Sequence, residues 1–497
     1  MQELQWCPAL CGLADNPELP GEVLDRFVAR ADARLCADLA YRDDLTAEQV
    51  RVLARRGGTD TTVVLVRRGL LRADVVDGGD PWVVLALLDE HGAPQEWAGA
   101  LASHPDPRVR ERLAGAAHTP PDLVAALARD ENVGVVAEAA LSPSLTAGLA
   151  RSLAGHPHAE VRRALAHNEK TPPGVLAALV ADGGHPPIRH CEACPDLPDR
   201  REDRWCTGSH EGAIVDIQCA ALRNQATPAD AAASLVTHPG TLVRWALASR
   251  VDLSQEVYRR LATDPIPGVR ADVAVNPAID ESLMRDMSGD RTHDVQRRLA
   301  HNPNVPLDVL SLVAGATRIG PTLVSRVATA SLAEVHTPAT SSVSAVRMLV
   351  AQRRDLPDDV IHGLARDPDA KVLKSVAPNP AVSDDELHAM LTRHGPRVAA
   401  RVARNPRCSE DLLYRVATLT PPVQKAYREI ARHPNATSRV LELCLRDDQA
   451  RQIAARHPAL PVPTLLRLLD DARPRVVEAA AANPALPEQA MRALLGQ

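Results

Sequence analysis

Apolar residues recur along this chain in a fixed order of short bursts. Val269, Val273 and Ala274 precede the Asn276-Pro277 pair, and Val295, Leu299 and Ala300 precede Asn302-Pro303, 26 positions further on. Spacings of four and five place such side chains on one face of a helix, whereas a strand would need alternation. The pattern therefore predicts a short helix over roughly 269–275. The residue before a proline is pushed out of the helical region, so the Asn-Pro pair predicts where that helix stops. A second burst, as in Leu465-Leu466 and Leu468-Leu469, follows a residue suited to a helix start: Pro172, Pro306, Ser383, Ser409 or Pro487. It closes on Asp or His (Asp130, Asp264, Asp367, Asp471, His104, His156, His238), five positions before the next Val slot, where a cap for the next turn is expected.

Taking the Asn of Asn-Pro as an index slot, the register runs from Asn16 through Asn168, Cys194, Asn224 and Asn276 to Asn483. That gives about nineteen units of about 26 residues, with irregular steps near Glu90, Asn224, Ala330, Arg353, His433 and His457. Helices this short do not stand alone in water, so each must bury its apolar face against its neighbours. The expectation is an all-α array in three stretches: N-terminal repeats over 1–183, an irregular Cys/His-rich repeat with an insertion over 184–220, and C-terminal repeats over 221–497. The first unit, which holds Cys7 and Cys11, is expected to shield an exposed end of the array.

The unit VRxxLAxNPxxPxxLLxxLAxD, in which Arg and Asn-Pro recur together, resembles the leucine-rich repeat variant family, a relative of HEAT-like helical arrays. The resemblance covers nearly the whole chain. It implies a right-handed α-solenoid with its helices in two concentric layers. The family's function is poorly defined, so the resemblance carries the fold and not an activity.

One stretch departs from the pattern. Between His185 and Cys219 lie His190, Cys191, Cys194, Cys206 and His210, and the register sets Pro187 in the Val slot, Cys191 in the core Leu slot and Cys194 in the Asn slot. The step to Asn224 is 30 residues, and the second helix has lost its leucines, reading DRREDRWCTGSHEGA. Something else must hold this unit together. Cys191 and Cys194 are spaced C-x₂-C, and Cys206 and His210 C-x₃-H, which suits a tetrahedral zinc with all four ligands from protein, a structural site. Cys219 falls in a slot that is solvated in other units, yet Cys191, Cys194, Cys206 and Cys219 together would suit a [4Fe–4S] cluster. The resembled family includes a member type with an N-terminal iron–sulfur module. Here the four thiols are internal, and Cys7, Cys11 and Cys36 are one ligand short. A third alternative is no metal, with thiols in a loose insertion. Cys408 and Cys444 are expected to be packing.

Arg110, Arg162, Arg244, Arg270 and Arg347 all occupy the slot after Val. They could line one edge as a partner-binding ribbon, or brace the stack by pairing with Asp residues of neighbouring turns, Asp264 with Arg270 for instance. Composition favours bracing. With 57 basic and 63 acidic residues the net charge is −6, which gives no overall pull toward nucleic acid or an anionic membrane. Five Trp, four Tyr and the single Phe27 leave few rings to stack bases, and Leu, Val and Ala must fill the interior. No phosphate-cradling glycine loop, G-x-S-x-G elbow or H-E-x-x-H helix occurs.

The densest apolar run, Val83–Leu88, is far short of the roughly 18 residues that suggest a membrane span. The first residues show no basic-then-apolar order, so no secretory signal is expected. Nine Cys, an odd number sitting mostly singly, fit a reduced, cytoplasmic setting. Taken together, the sequence leads to a non-enzymatic scaffold that holds a protein or peptide on its concave surface, with a metal-stapled irregular repeat. The alternatives from other classes are an iron–sulfur or redox sensor and a nucleic-acid reader using the Arg slot.

Overall fold

The computed structural model describes residues 4–76, 78–90, 95–194 and 208–496. Among them every regular element is helical, and extended backbone pairs only at two isolated parallel bridges, Leu4 with Ala31 and His158 with His190. The helix expected over 269–275 runs Pro267–Val275, with proline in its first turn, and Asn276 leaves it in an extended conformation. Its companion is Glu281–Met287, where the Asp280 side chain accepts from the Leu283 N–H. Ser383 and Glu386 form a reciprocal capping box at Asp384–His394, and the Ser409 side chain caps Glu410–Ala417. These caps satisfy N–H groups that short helices otherwise leave orphaned.

The chain divides into two compact units, one comprising Met1–Leu70 with Ala314–Gln497 and the other Leu71–Val313. Within each, the index slot does the stacking. In the second unit Asn276 Nδ2 donates to the Ala248 and Arg250 carbonyls at 2.9 and 2.5 Å, and Asn302 Nδ2 to Ala274 and Asn276 at 3.0 and 2.7 Å. The first unit repeats this, with Asn405 reaching Ala377 and Asn379 at 2.6 and 2.7 Å. Each amide thus takes carbonyls freed at the end of the preceding repeat's first helix, while its own Oδ1 accepts from the N–H two residues on, as Ala278 N does to Asn276.

The same geometry explains why Arg and His share the slot. All that is required is a buried donor. Arg250 Nη1 reaches the Leu222 and Asn224 carbonyls at 2.9 and 3.2 Å. His433 receives the Asn435 N–H on Nδ1, which places its proton on Nε2, 2.8 Å from the Asn405 carbonyl.

Two features depart from the sequence expectation. Asn224 Nδ2 donates to the carbonyls of Ala166 and Asn168, both at 2.9 Å, so its repeat stacks directly on that of Asn168. Cys194 therefore does not fill an Asn slot. The physical reason is apolar content: helix Glu211–Arg223 buries Ile217, Ala220, Ala221 and Leu222 beside helix Ala159–His167, a face that the chain just before Cys194 cannot offer.

The second departure lies within the unit that holds both termini. Asn16 Nδ2 donates to the Ala481 and Asn483 carbonyls at 2.9 and 2.8 Å, the same rule that joins Asn276 and Asn302 to the repeats before them. Helix Pro8–Ala14 lies against Pro474–Ala481 so closely that a Cβ on Gly12 would sit 2.0 Å from the Glu478 carbonyl oxygen. Arg30 Nη1 adds a 2.8 Å bond to the Leu495 carbonyl. The first repeat is thus not a shield over a free end; it occupies the place that would follow the last.

Not every glycine is constrained. Gly363, exposed within Asp358–Ala365, has nothing within 4 Å of an added Cβ. Gly363→Ala is expected to raise stability by about 0.4–1 kcal/mol, chiefly by restricting the unfolded chain, read as a higher urea midpoint at unchanged slope.

Candidate metal centre

The route to the site begins at Arg162, which is fully buried on helix Ala159–His167. Its guanidinium donates to the carbonyls of His156 at 2.7 Å, Gly183 at 3.1 Å, Gly184 at 2.8 Å and Pro186 at 2.5 Å. Helix Pro173–Asp182 ends there, because Gly183 and Gly184 take positive φ of 76° and 89°, conformations that glycine adopts without penalty. The chain then runs beside 157–159. Arg189 N donates to the Pro157 carbonyl and Ala159 N to the His190 carbonyl, both at 2.9 Å. Cys191 follows at once, so this short parallel pairing fixes where its sulfur begins.

Cys191 and Cys194 bracket a tight turn, with Cys194 N donating to the Cys191 carbonyl at 3.0 Å. The Cys191 N–H lies 3.3 Å from Cys194 Sγ, and the two sulfurs are 3.8 Å apart. His210, in a left-handed conformation with φ 55°, immediately precedes helix Glu211–Arg223. One ligand atom from each of Cys191, Cys194 and His210 lies within 4.8 Å of the others; both cysteines are buried and the histidine half-buried. These three could hold a metal ion.

Of the other predicted ligands, Cys206 lies outside the described residues. Cys219 is buried on helix Glu211–Arg223, not in the solvated slot the register gave it, and burial pushes its thiol up. It is not part of the three-residue group, although it lines the same open cavity as Cys191 and His210, together with Glu160, Arg163 and Asp216. Beside the loop, His158 is pushed down to about 4 by burial and by neighbouring His156 and His190, and its Nδ1 accepts from the Glu160 N–H at 3.2 Å. Cys408 and Cys444 are fully buried, as packing requires.

The five Arg of the slot after Val are drawn inward. Arg110 donates to Asp130 at 2.7 and 2.9 Å and to the His104 carbonyl at 2.7 Å. Arg244 with Asp264, Arg270 with Asp290 and Arg347 with Asp367 repeat the two-bond fork, each at a separation of 20 residues. The expected partner of Arg270 is corrected in one respect. Asp264 gives Arg270 its backbone carbonyl, at 2.8 Å, while its carboxylate belongs to Arg244. That carboxylate has a second use, accepting the Ile266 N–H at 2.9 Å, which is the cap expected of the Asp/His slot; His104 and His156 do the same through Nδ1.

The fork has a pH consequence. The Arg110 guanidinium, against opposing burial, holds the Asp130 carboxyl below its usual range; at Asp264 and Asp290 burial pushes up, but the Arg fork and a backbone N–H together outweigh it. A depressed folded value means that the stabilisation is complete above the unfolded value of 3.8 and is lost as pH falls through the folded one. The thermal midpoint is expected to fall on acidification below about pH 4, and Asp130→Asn to lower it at pH 7 while making the acid decline shallower, read from melts between pH 2 and 7.

Comparison with known proteins adds little beyond the architecture. No family model matches the chain, and no curated protein does. Among solved structures, a leucine-rich repeat variant with a novel repetitive structural motif is 17% identical with a TM-score of 0.31, over 53% of this chain and 88% of that one. SYS-1 is 11% identical with a TM-score of 0.16, over 95% and 94%. The Pds5–Scc1 complex gives 10% identity and a TM-score of 0.15, over 96% and 68%. The chain is a helical-repeat protein. The recurring donor slot and the paired short helices carry that architecture. No helix among the described residues is long and apolar enough to cross a membrane.

Proposed function

We propose that this chain is a non-enzymatic scaffold binding a protein or peptide on the concave face of its array, in a reducing cytoplasmic setting, with a structural zinc where the stack is interrupted. Supporting the scaffold role, the recurring Asn, Arg and His side chains are spent on joining repeats, while apolar side chains at Leu242, Val251 and Leu312 stand exposed, free of that duty. The Arg of the slot after Val are assigned to bracing in preference to partner or nucleic-acid binding, because four of them fork onto Asp130, Asp264, Asp290 and Asp367 and Arg162 is committed to backbone carbonyls.

The observation that carries the zinc assignment is the sulfur separation. Two thiolates each about 2.3 Å from one tetrahedral ion are held about 3.8 Å apart. Cys191 and Cys194 stand at 3.8 Å before any ion is considered. In a [4Fe–4S] cluster each cysteine takes a separate iron, which spreads the sulfurs further, and Cys219 would have to join a group that it does not belong to. Cys206, four residues before His210, is assigned as the fourth ligand. When bound, zinc would supply a cross-link between the ligand loop and the start of helix Glu211–Arg223, a substitute for the missing leucines.

Elemental analysis of the purified chain is expected to give one zinc per chain, falling to near zero in Cys191→Ser. A brown, anaerobically stable protein with iron in place of zinc would overturn the assignment. For the scaffold, a protein retained stoichiometrically by the immobilised chain is expected to be lost on Leu242→Asp without a change in melting. Turnover of a substrate that disappears on changing one polar residue would defeat it.

A further inference from the structure

We propose that Cys191 and Cys194 form an oxidation site that governs metal retention, at which a hydroperoxide joins the two sulfurs and expels the zinc. This rests on the zinc assignment above. Three observations motivate it. The two sulfurs share one turn at 3.8 Å, so no change elsewhere in the fold is needed to bring them together. Cys191 lines the open cavity between helices Ala159–His167 and Glu211–Arg223, giving a small oxidant a path to one member of the pair; Cys194 does not line it. The Cys191 N–H, 3.3 Å from Cys194 Sγ, holds that sulfur beside Cys191 within the turn.

The roles follow from which sulfur the cavity reaches. The Cys191 thiolate attacks one peroxide oxygen; the O–O bond breaks, the sulfur becomes a sulfenic acid, and the departing hydroxide takes a proton to become water. The Cys194 thiolate then displaces the sulfenic oxygen, which leaves as a second hydroxide and is likewise protonated, and the S–S bond forms. Two sulfurs lose one electron each and one hydrogen peroxide gains two. Zinc loses two thiolate ligands at once, and fewer than the four that a structural site needs are left. A dithiol reductant returns both thiolates and lets zinc rebind.

The experiment uses the full chain, loaded with zinc and treated anaerobically with measured hydrogen peroxide, with released metal followed by a chromogenic chelator and thiols counted in parallel. Expected are one zinc released and two thiols lost per chain, a Cys191–Cys194 disulfide by peptide mass mapping, recovery on adding dithiothreitol and zinc, and the same behaviour in Cys219→Ala. A chain that binds no zinc at the outset sinks the metal assignment itself. A chain that binds zinc but keeps it while free Cys408 or small thiols are oxidised, or that pairs Cys191 with Cys219 or Cys206, overturns the oxidation site and leaves the zinc standing.

Discussion

Asn16→Ala is expected to cost about 2–4 kcal/mol and to free the first repeat from the last. Asn16 is fully buried, and its amide serves the Ala481 and Asn483 carbonyls while its Oδ1 accepts from the Glu18 N–H. Truncation leaves two buried acceptors and one donor without partners, and each such group costs roughly 1–3 kcal/mol, with partial relief where water can enter. The matching change inside the array, Asn276→Ala, removes the same bonds between repeats that stay tethered on both sides. For Asn16 the two repeats it joins are 465 residues apart in sequence, so hydrogen exchange over 8–30 is expected to accelerate more than exchange around the altered site in Asn276→Ala. Gly12→Leu tests the same contact by shape, since its Cβ would meet backbone and not a side chain that can turn aside. Unchanged exchange over 8–30 in both variants would mean that the terminal repeats do not dock.

Arg162→Met should be the most damaging substitution near the metal centre, at about 3–5 kcal/mol, with weaker zinc binding as a second readout. The side chain is fully buried and donates to four carbonyls, three of which belong to the stretch that launches the ligand loop. Met fills much of the volume but leaves those carbonyls unpaired. Arg162→Lys should not rescue it, because a compact ammonium cannot span acceptors set around a planar fork. Arg110→Met, whose partners are an Asp fork and two carbonyls in another part of the stack, should lower stability while leaving zinc stoichiometry and affinity as they were. An Arg162→Met chain that melts normally, or that binds zinc as tightly as wild type, would count against this anchoring role.

What could be foreseen follows the range of the interactions concerned. Helix ends were legible because proline geometry and capping act within four residues: Asn276-Pro277 and Ser383 with Glu386 carry their own instructions. The caps from Asp264 and His104 were legible for the same reason. Which repeat touches which was not. Asn224 has the same local signature whether it docks on its neighbour in sequence or on Asn168, and only the three-dimensional match of apolar faces decides. Cys191 with Cys194 could be paired by spacing, and His210 belongs with them; Cys219 could be set apart only once the helix that carries it had a place in the stack. Burial of the Arg slot was likewise hidden, because a partner 20 residues away, as Asp130 is from Arg110, leaves no periodic mark of its own.

The meeting of Asn16 with Asn483 bears on biosynthesis. The carbonyls that Asn16 requires come 465 and 467 residues later. At roughly 5–20 residues per second, a ribosome would need on the order of half a minute to a minute and a half to supply them. Throughout that interval helix Pro8–Ala14 lacks the face of Pro474–Ala481 that covers it in the folded chain. A nascent-chain chaperone, or an early and temporary lodging on some other repeat, would have to cover that helix until Pro474–Ala481 leaves the exit tunnel.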